Sequence, residues 1–185
     1  GCGFMDSAEE ARMMSFATAF EDYQGVVIGG GTRMVYKDNT TKIRPGITEL
    51  LPAIKLQSPN AITVGLIPRI EGDIMRFLPD GRIAFDSPRA DYYTTMAHEN
   101  EISILVQRSA DKGIKWEDEY RASIELMHIL KTEKEYRTLT FFYNGGMVSE
   151  KEMLDTVKLG WPVVLVRNSG RMCDQYCNDQ VFLLK

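Results

Sequence analysis

Apolar positions along the chain alternate between the period of a helix and the period of a strand. Met13, Phe16, Ala17 and Phe20 fall on one helical face, and Ser7 with Glu10 forms a capping box at its start. Gln24 to Ile28 is a short β-rich run that stops at three glycines. Ile47, Leu50, Leu51 and Ile54 then follow at i, i+3, i+4 and i+7, the stripe of an amphipathic helix. Ala61 to Ile67 reads as a buried strand. From Ile74 to Phe85 the flanking Met75, Phe77 and Ile83 surround Pro79-Asp80-Gly81, a turn signal that predicts an inserted hairpin.

The alternation resumes with a strand over Ile102 to Val106 and a helix carrying Tyr120, Ile124 and Met127 on one face. A strand from Thr138 to Tyr143, a helix near Ser149 to Leu159, a strand from Val163 to Val166 and a last helix from about Gly170 complete the pattern. Strands that alternate with helices predict a Rossmann-like α/β fold: a doubly wound, mostly parallel sheet with helices on both faces and a hairpin insertion. The 185 residues suit one domain, 1–185, with no repeat, low-complexity tract or linker. Gly1-Cys2-Gly3 directly before a helix has the look of a loop that follows a strand. The expectation is a domain excised from a longer protein, with its first strand missing.

Composition narrows the function. At 44% hydrophobic and 26% charged the chain has material for a sizeable core. Its 22 Lys and Arg against 26 Asp and Glu give a net charge of -4, which argues against a nucleic-acid partner held through its phosphates. The longest uninterrupted apolar runs, such as Val163 to Val166, are four residues. That is far below the roughly 20 needed to cross a bilayer, and the start carries no signal-peptide pattern. Cys2, Cys173 and Cys177 cannot form a disulfide framework, so a reducing, cytoplasmic setting is expected. His98 and His128 lie far from the cysteines in sequence, and no metal site is expected from them. The thiols read as buried and inert.

In a doubly wound sheet, ligands sit beyond the carboxyl ends of the strands, where amide groups at helix starts favour anions. Three glycine-bearing loops are expected on one edge of one sheet: Gly29-Gly30-Gly31-Thr32-Arg33, Asn144-Gly145-Gly146-Met147-Val148-Ser149, and Arg167-Asn168-Ser169-Gly170-Arg171. Any one of them could be a turn that needs only a positive φ. Their joint occurrence, with hydroxyl and guanidinium side chains, points to a phosphate-bearing ligand. The Walker A run, the dinucleotide fingerprint and the Gly-x-Ser-x-Gly elbow are missing.

These residues resemble the SLOG superfamily, and within it the prokaryotic LSDAT group, which is similar to the amino-terminal domain of TRPM channels. The resemblance rests on Gly30-Gly31-Thr32 after an early strand, Asn144-Gly145-Gly146 before Ser149 and Glu152, and Ser169-Gly170-Arg171 with Asp174. Val26 to Thr32, Gly46-Ile47, Val64-Gly65 with Pro68, His98, and Trp116 to Glu119 extend it over most of the chain. It implies a sensor module that binds an adenine-nucleotide-derived small molecule, such as ADP-ribose or cyclic ADP-ribose, and serves an effector domain in the same full-length protein. No cofactor is implied. The amides of Gly30, Gly31, Gly145 and Gly146 would cradle a diphosphate, Arg171 would clamp it, Ser149 or Thr32 would add a hydroxyl, and Glu152 would accept ribose hydroxyls.

Two other readings stand beside the sensor. Phosphoribohydrolases of the LOG type carry Pro-Gly-Gly-x-Gly-Thr-x-x-Glu, and residues 144–152 match that pattern at Gly145, Gly146 and Glu152. Asn144, Val148 and Ser149 depart from it. The enzyme alternative is therefore an N-glycosidic hydrolase with Glu152 steering water. The other is a structural domain with a vestigial pocket whose surface assembles homo-oligomers. Arg33, Lys37, Lys42 and Arg44 lie in a segment that is either a lid over phosphates or a solvated loop. Trp116 either stacks on a base or packs beneath its loop. Glu117, Asp118 and Glu119 read as the acidic start of the next helix.

Overall fold

In the computed structural model, which describes residues 7–36, 47–88, 91–97, 99–109 and 112–178, the alternating pattern folds as a Rossmann-like α/β structure with a parallel sheet flanked by helices. The described residues group into two compact units that divide between Glu119 and Tyr120.

The amino-terminal unit opens with helix α1 (Ser7–Ser15), which tightens into a 3₁₀ turn over Phe16–Phe20. Strands β1 (Val26–Gly30), β2 (Thr32–Tyr36), β3 (Ile62–Pro68), β4 (Ile74–Phe77), β5 (Ile83–Asp86), β6 (Tyr92–Met96) and β7 (Ile102–Val106) follow, with helix α2 (Leu50–Gln57) between β2 and β3. The parallel sheet has the order β1-β3-β7, with Val26 opposite Ile62 and Val64 opposite Ile102. Its middle strand is buried from Thr63 to Pro68, which explains why apolar residues dominate it on both faces. Ala17, Leu50, Ile54 and Ala61 form the core, with Phe16, Phe20 and Val27 packed against it. Phe16, Ala17, Phe20, Leu50 and Ile54 come from the two predicted helical stripes, and Val27 and Ala61 from the two predicted strands. Pro52 is tolerated because it falls in the first turn of α2, where its missing N–H has no helical acceptor to lose.

The predicted hairpin is present as β4 and β5, but it belongs to a larger antiparallel sheet of order β2-β6-β5-β4. The parallel sheet that the alternation predicts is present as β1-β3-β7, and the hairpin is part of an antiparallel sheet that also takes in β2 and β6. The chain changes sheets at Gly31, whose N–H donates to Leu66 O at 2.7 Å while its carbonyl accepts from Ala97 N–H at 2.8 Å. Thr32 then pairs with Met96, and the antiparallel ladder runs to Tyr36 opposite Tyr92.

The carboxy-terminal unit holds α3 (Glu119–Lys134, all but its first residue), β8 (Thr140–Phe142), α4 (Met147–Lys158), β9 (Val163–Leu165) and α5 (Arg171–Cys177). Strands β8 and β9 run parallel, with Phe142 opposite Leu165. Phe142, Met153, Met172 and Cys173 form its core, joined by Leu154, Val163, Leu165 and Tyr176. Tyr120 anchors α3 by donating its hydroxyl to Asp155 at 3.0 Å. Trp161 is buried under the same helix, with the His128 ring stacked on it and the Lys131 ammonium 5.4 Å from its ring centre. Cys173 is a buried thiol whose pKa burial pushes up, as expected of an inert core cysteine.

Candidate functional site

The two late loops meet at the carboxyl ends of β8 and β9. Left-handed backbone is concentrated there: Asn144 and Gly145 have φ of 61° and 80°, and Asn168, Gly170 and Arg171 have 59°, 93° and 45°. Glycine and asparagine adopt this region readily, whereas a left-handed arginine costs about 1–2 kcal/mol. Such strain persists where the surroundings hold it, and it concentrates at binding sites. Here the holding contacts are visible. Ser169 Oγ accepts from the Asn144 N–H at 2.8 Å and donates to Val166 O at 2.6 Å, while the Cys173 N–H donates to Asn144 O at 3.0 Å. The Ser169 hydroxyl is fully buried, so it latches the two loops together rather than facing a ligand.

Above that latch, four features converge. Gly146 is the N-cap of α4 and no side chain caps this end, where the helix carries about half a positive charge. The Arg171 guanidinium lies against Gly146, so closely that any β-carbon at that position would collide with it. Ser149 sits beside Gly145, with its Oγ 3.5 Å from where a side chain at Gly145 would begin. Asn144 is only 4% exposed, and its Oδ1 has no hydrogen-bond partner among the described residues. A buried acceptor left unpaired is costly, and a ligand donor would satisfy it.

Other expected contributions are corrected by the geometry. Just ahead of α5, the Ser169 and Gly170 amides are taken, because their N–H groups donate to the two carboxylate oxygens of Asp174 at 3.2 and 3.1 Å. Gly29 and Gly30 are strand residues opposite Gly65 and Leu66, not part of a loop, and the Gly31 amide is bonded to Leu66. Arg33 is held by two carboxylates: its Nε and Nη2 donate to Glu49 at 2.6 and 2.7 Å, and its Nη1 donates to Glu99 at 2.7 Å. With its side chain 11% exposed, this arginine is fully engaged within the fold and is not a phosphate fork. Thr32 keeps a buried hydroxyl oxygen without a partner among the described residues, while its carbonyl accepts from the Thr48 hydroxyl. Glu49 and Glu99 had no sequence signal, because the pairing exists only once the chain has folded. Lys37, Lys42, Arg44 and His98 lie outside the described residues. Trp116 is exposed at the start of the 3₁₀ turn Trp116–Asp118 that leads into α3, in keeping with an acidic helix start.

Glu152 follows Ser149 by three residues on α4, which puts both on one side of the helix. Burial lifts its carboxyl to a pKa of about 7. The folded chain therefore holds this proton more tightly than the unfolded chain does, and stability falls as pH rises from the ordinary value of 4.5 toward 7. Glu152→Gln should accordingly raise the unfolding free energy by about 2 kcal/mol near pH 8 and by less than about 1 kcal/mol near pH 5. Urea denaturation at both pH values checks this, and an equal gain at both would contradict the buried carboxyl.

Among the described residues, no group of three or more His, Cys, Asp and Glu is arranged to hold a metal ion, and no helix is long and apolar enough to cross a membrane. No curated protein and no solved structure shows significant similarity to the chain. A family model described as SLOG in TRPM, prokaryote, matches residues 79–182, more than half of the chain. The loops around Asn144 and Arg171 fall within that span, and Gly29–Arg33 fall outside it. The chain belongs to the LSDAT family, the prokaryotic form of the SLOG domain of TRPM.

Proposed function

We propose that the edge formed by β8 and β9 binds a nucleotide-derived ligand with a diphosphate, ADP-ribose or a cyclic relative, and that the domain acts as a sensor for an effector domain of a longer protein. The observation that carries this reading is the convergence of the uncapped start of α4, the Arg171 guanidinium on Gly146 and the unpaired Asn144 Oδ1. The first amides of α4 and those of Gly145 and Gly146 would receive phosphate oxygens, and Arg171 would donate paired hydrogen bonds to the same group. Ser149 adds a hydroxyl donor, Asn144 Oδ1 accepts from a ribose hydroxyl or a base amine, and Glu152 accepts ribose hydroxyls.

Ligand-dependent melting tests the reading. A ligand selective for the folded state stabilises by about 2.7 kcal/mol at a hundredfold excess over its dissociation constant, so ADP-ribose should raise the melting temperature measurably. No shift with any adenine nucleotide at millimolar concentration would overturn it. One observation favours a second reading, hydrolysis of an N-glycosidic bond: the Glu152 carboxyl at about 7 is poised to exchange a proton near neutral pH. Release of free base from a nucleoside monophosphate, abolished in Glu152→Gln, would support hydrolysis over sensing.

A further inference from the structure

The β8–β9 edge offers donors on one side and acceptors on the other. Toward α4 stand the uncapped amides at the helix start and the Arg171 guanidinium against Gly146. Toward α5 the Asp174 carboxylate is fixed on the Ser169 and Gly170 N–H groups. The buried Asn144 Oδ1, with no partner among the described residues, lies 3.7 Å from where a side chain at Gly170 would begin. Formal charge is balanced as well. Residues 144–152 and 167–174 hold three cations, Lys151, Arg167 and Arg171, and three acids, Glu150, Glu152 and Asp174. Arg167 donates to Cys177 O at the far end of α5, and Lys151 is exposed on α4, one residue from Glu152 and two from Ser149, hence off their face. That leaves the Arg171 guanidinium and the roughly half positive charge of the α4 start as the attraction these segments offer an anion. Glu150, in the first turn of α4, offsets part of the latter.

We propose that this site selects a diphosphate esterified at both ends, with one negative charge on each phosphate and a hydroxyl-bearing group beyond, and that Asp174 sets the preference by opposing the second charge of a terminal phosphate. The proposal rests on the reading of this edge as a diphosphate site. A terminal phosphate has a second pKa of about 6 and so carries nearly two charges at neutral pH, whereas a phosphate esterified on both sides carries one. The additional charge has no further cation to meet and faces a half-buried carboxylate, where like charges repel more strongly than in bulk water. Asp174 is not free to swing away, because it would leave two backbone amides without their acceptor, and Ser169 is only 1% exposed. A sugar hydroxyl in the same place donates to Asp174 or to Asn144 Oδ1 instead. Sugar-capped diphosphates therefore fit, and nucleoside diphosphates that end in a free phosphate are disfavoured.

Calorimetric titration of ADP-ribose and of ADP, at pH 8 and at about pH 5.5, tests this. At pH 8 ADP-ribose should bind roughly 10-fold tighter or more, and at the lower pH, where the terminal phosphate of ADP is mainly singly charged, the ratio should fall to about 3-fold or less. Titration of Glu152 acts on both ligands alike and cancels in the ratio. Asp174→Asn, which keeps an oxygen acceptor and removes the charge, should narrow the ratio at pH 8 to about the same extent. Should that variant lose its fold by circular dichroism, the ratio at the two pH values decides alone. ADP bound as tightly as ADP-ribose at pH 8, or a ratio that neither the lower pH nor Asp174→Asn narrows, would overturn the proposal and leave the diphosphate reading standing. Failure of both ligands to bind would contradict that reading and the proposal with it.

Discussion

Gly31→Ala is expected to lower the unfolding free energy by about 3 kcal/mol, the upper end of what overpacking usually costs. A methyl group at this position would lie 2.7 Å from the Gly65 carbonyl carbon and 2.8 Å from its Cα. Both are backbone atoms of β3, the middle strand of the parallel sheet, so relief requires the junction of β1 and β2 to move away from β3. The Gly31 N–H bond to Leu66 and the Ala97 bond to Gly31 would be strained by the same movement. Gly65→Ala should behave alike, because its methyl would meet Gly31 Cα at 2.9 Å and Asn100 Nδ2 at 2.5 Å. Gly72 provides the control: beyond its chain neighbours nothing lies within 4 Å of where its β-carbon would sit, so alanine there costs only the roughly 1–2 kcal/mol of its positive φ. Urea denaturation of the variants ranks them. A Gly31→Ala protein as stable as the original would contradict a packing role and return this glycine to the list of ligand contacts.

That result bears on how far the chain could be read before it was seen folded. The helical stripe at Leu50, Leu51 and Ile54 is legible because amphipathic period and burial coincide, and all three residues are buried. Strand β3 is legible for a related reason, since a strand buried on both faces is mostly apolar on both. The late loops are legible as well, because Asn144-Gly145 and Ser169-Gly170 mark left-handed backbone by residue type alone. Three consecutive glycines also look like a loop. Their reason here is tertiary: Gly29 gives room to Leu51, and Gly31 gives room to the backbone at Gly65. Arg33 carried the chemistry of a phosphate fork, but its partners Glu49 and Glu99 are 16 and 66 residues away and become neighbours only in the fold. Strands β2 and β6 were obscured differently. The first begins within the glycine run, and the second, Tyr92-Tyr93-Thr94-Thr95-Met96, had the β-branched and aromatic content of a strand without an apolar alternation to announce it. At the site itself, the Asp174 carboxylate occupies the Ser169 and Gly170 amides, whereas no side chain caps the start of α4.

Arg171→Lys should be nearly as damaging to ligand binding as Arg171→Ala, by roughly 10- to 100-fold in affinity, the value of one or two charge-assisted hydrogen bonds. The reason is position and shape together. Arg171 has a left-handed φ of 45°, and its guanidinium rests against Gly146 at the start of α4, where amide groups and guanidinium can address the same diphosphate. Lysine keeps the charge and loses the planar fork that gives two parallel bonds. Lysine and alanine meet the same backbone strain at this position as arginine, so neither should change folding by relieving it. An ordinary surface arginine, by contrast, is worth at most about 1 kcal/mol and is replaced by lysine without loss.

The most direct test of the account is titration calorimetry of ADP-ribose against the unsubstituted protein, Arg171→Lys and Arg171→Ala, with folding of each checked by circular dichroism. Saturable binding to the first, lost to a similar degree in both variants, is the predicted result. Undiminished affinity in Arg171→Lys, or no binding of ADP-ribose by the unsubstituted protein, would contradict the assignment of the β8–β9 edge as the ligand site.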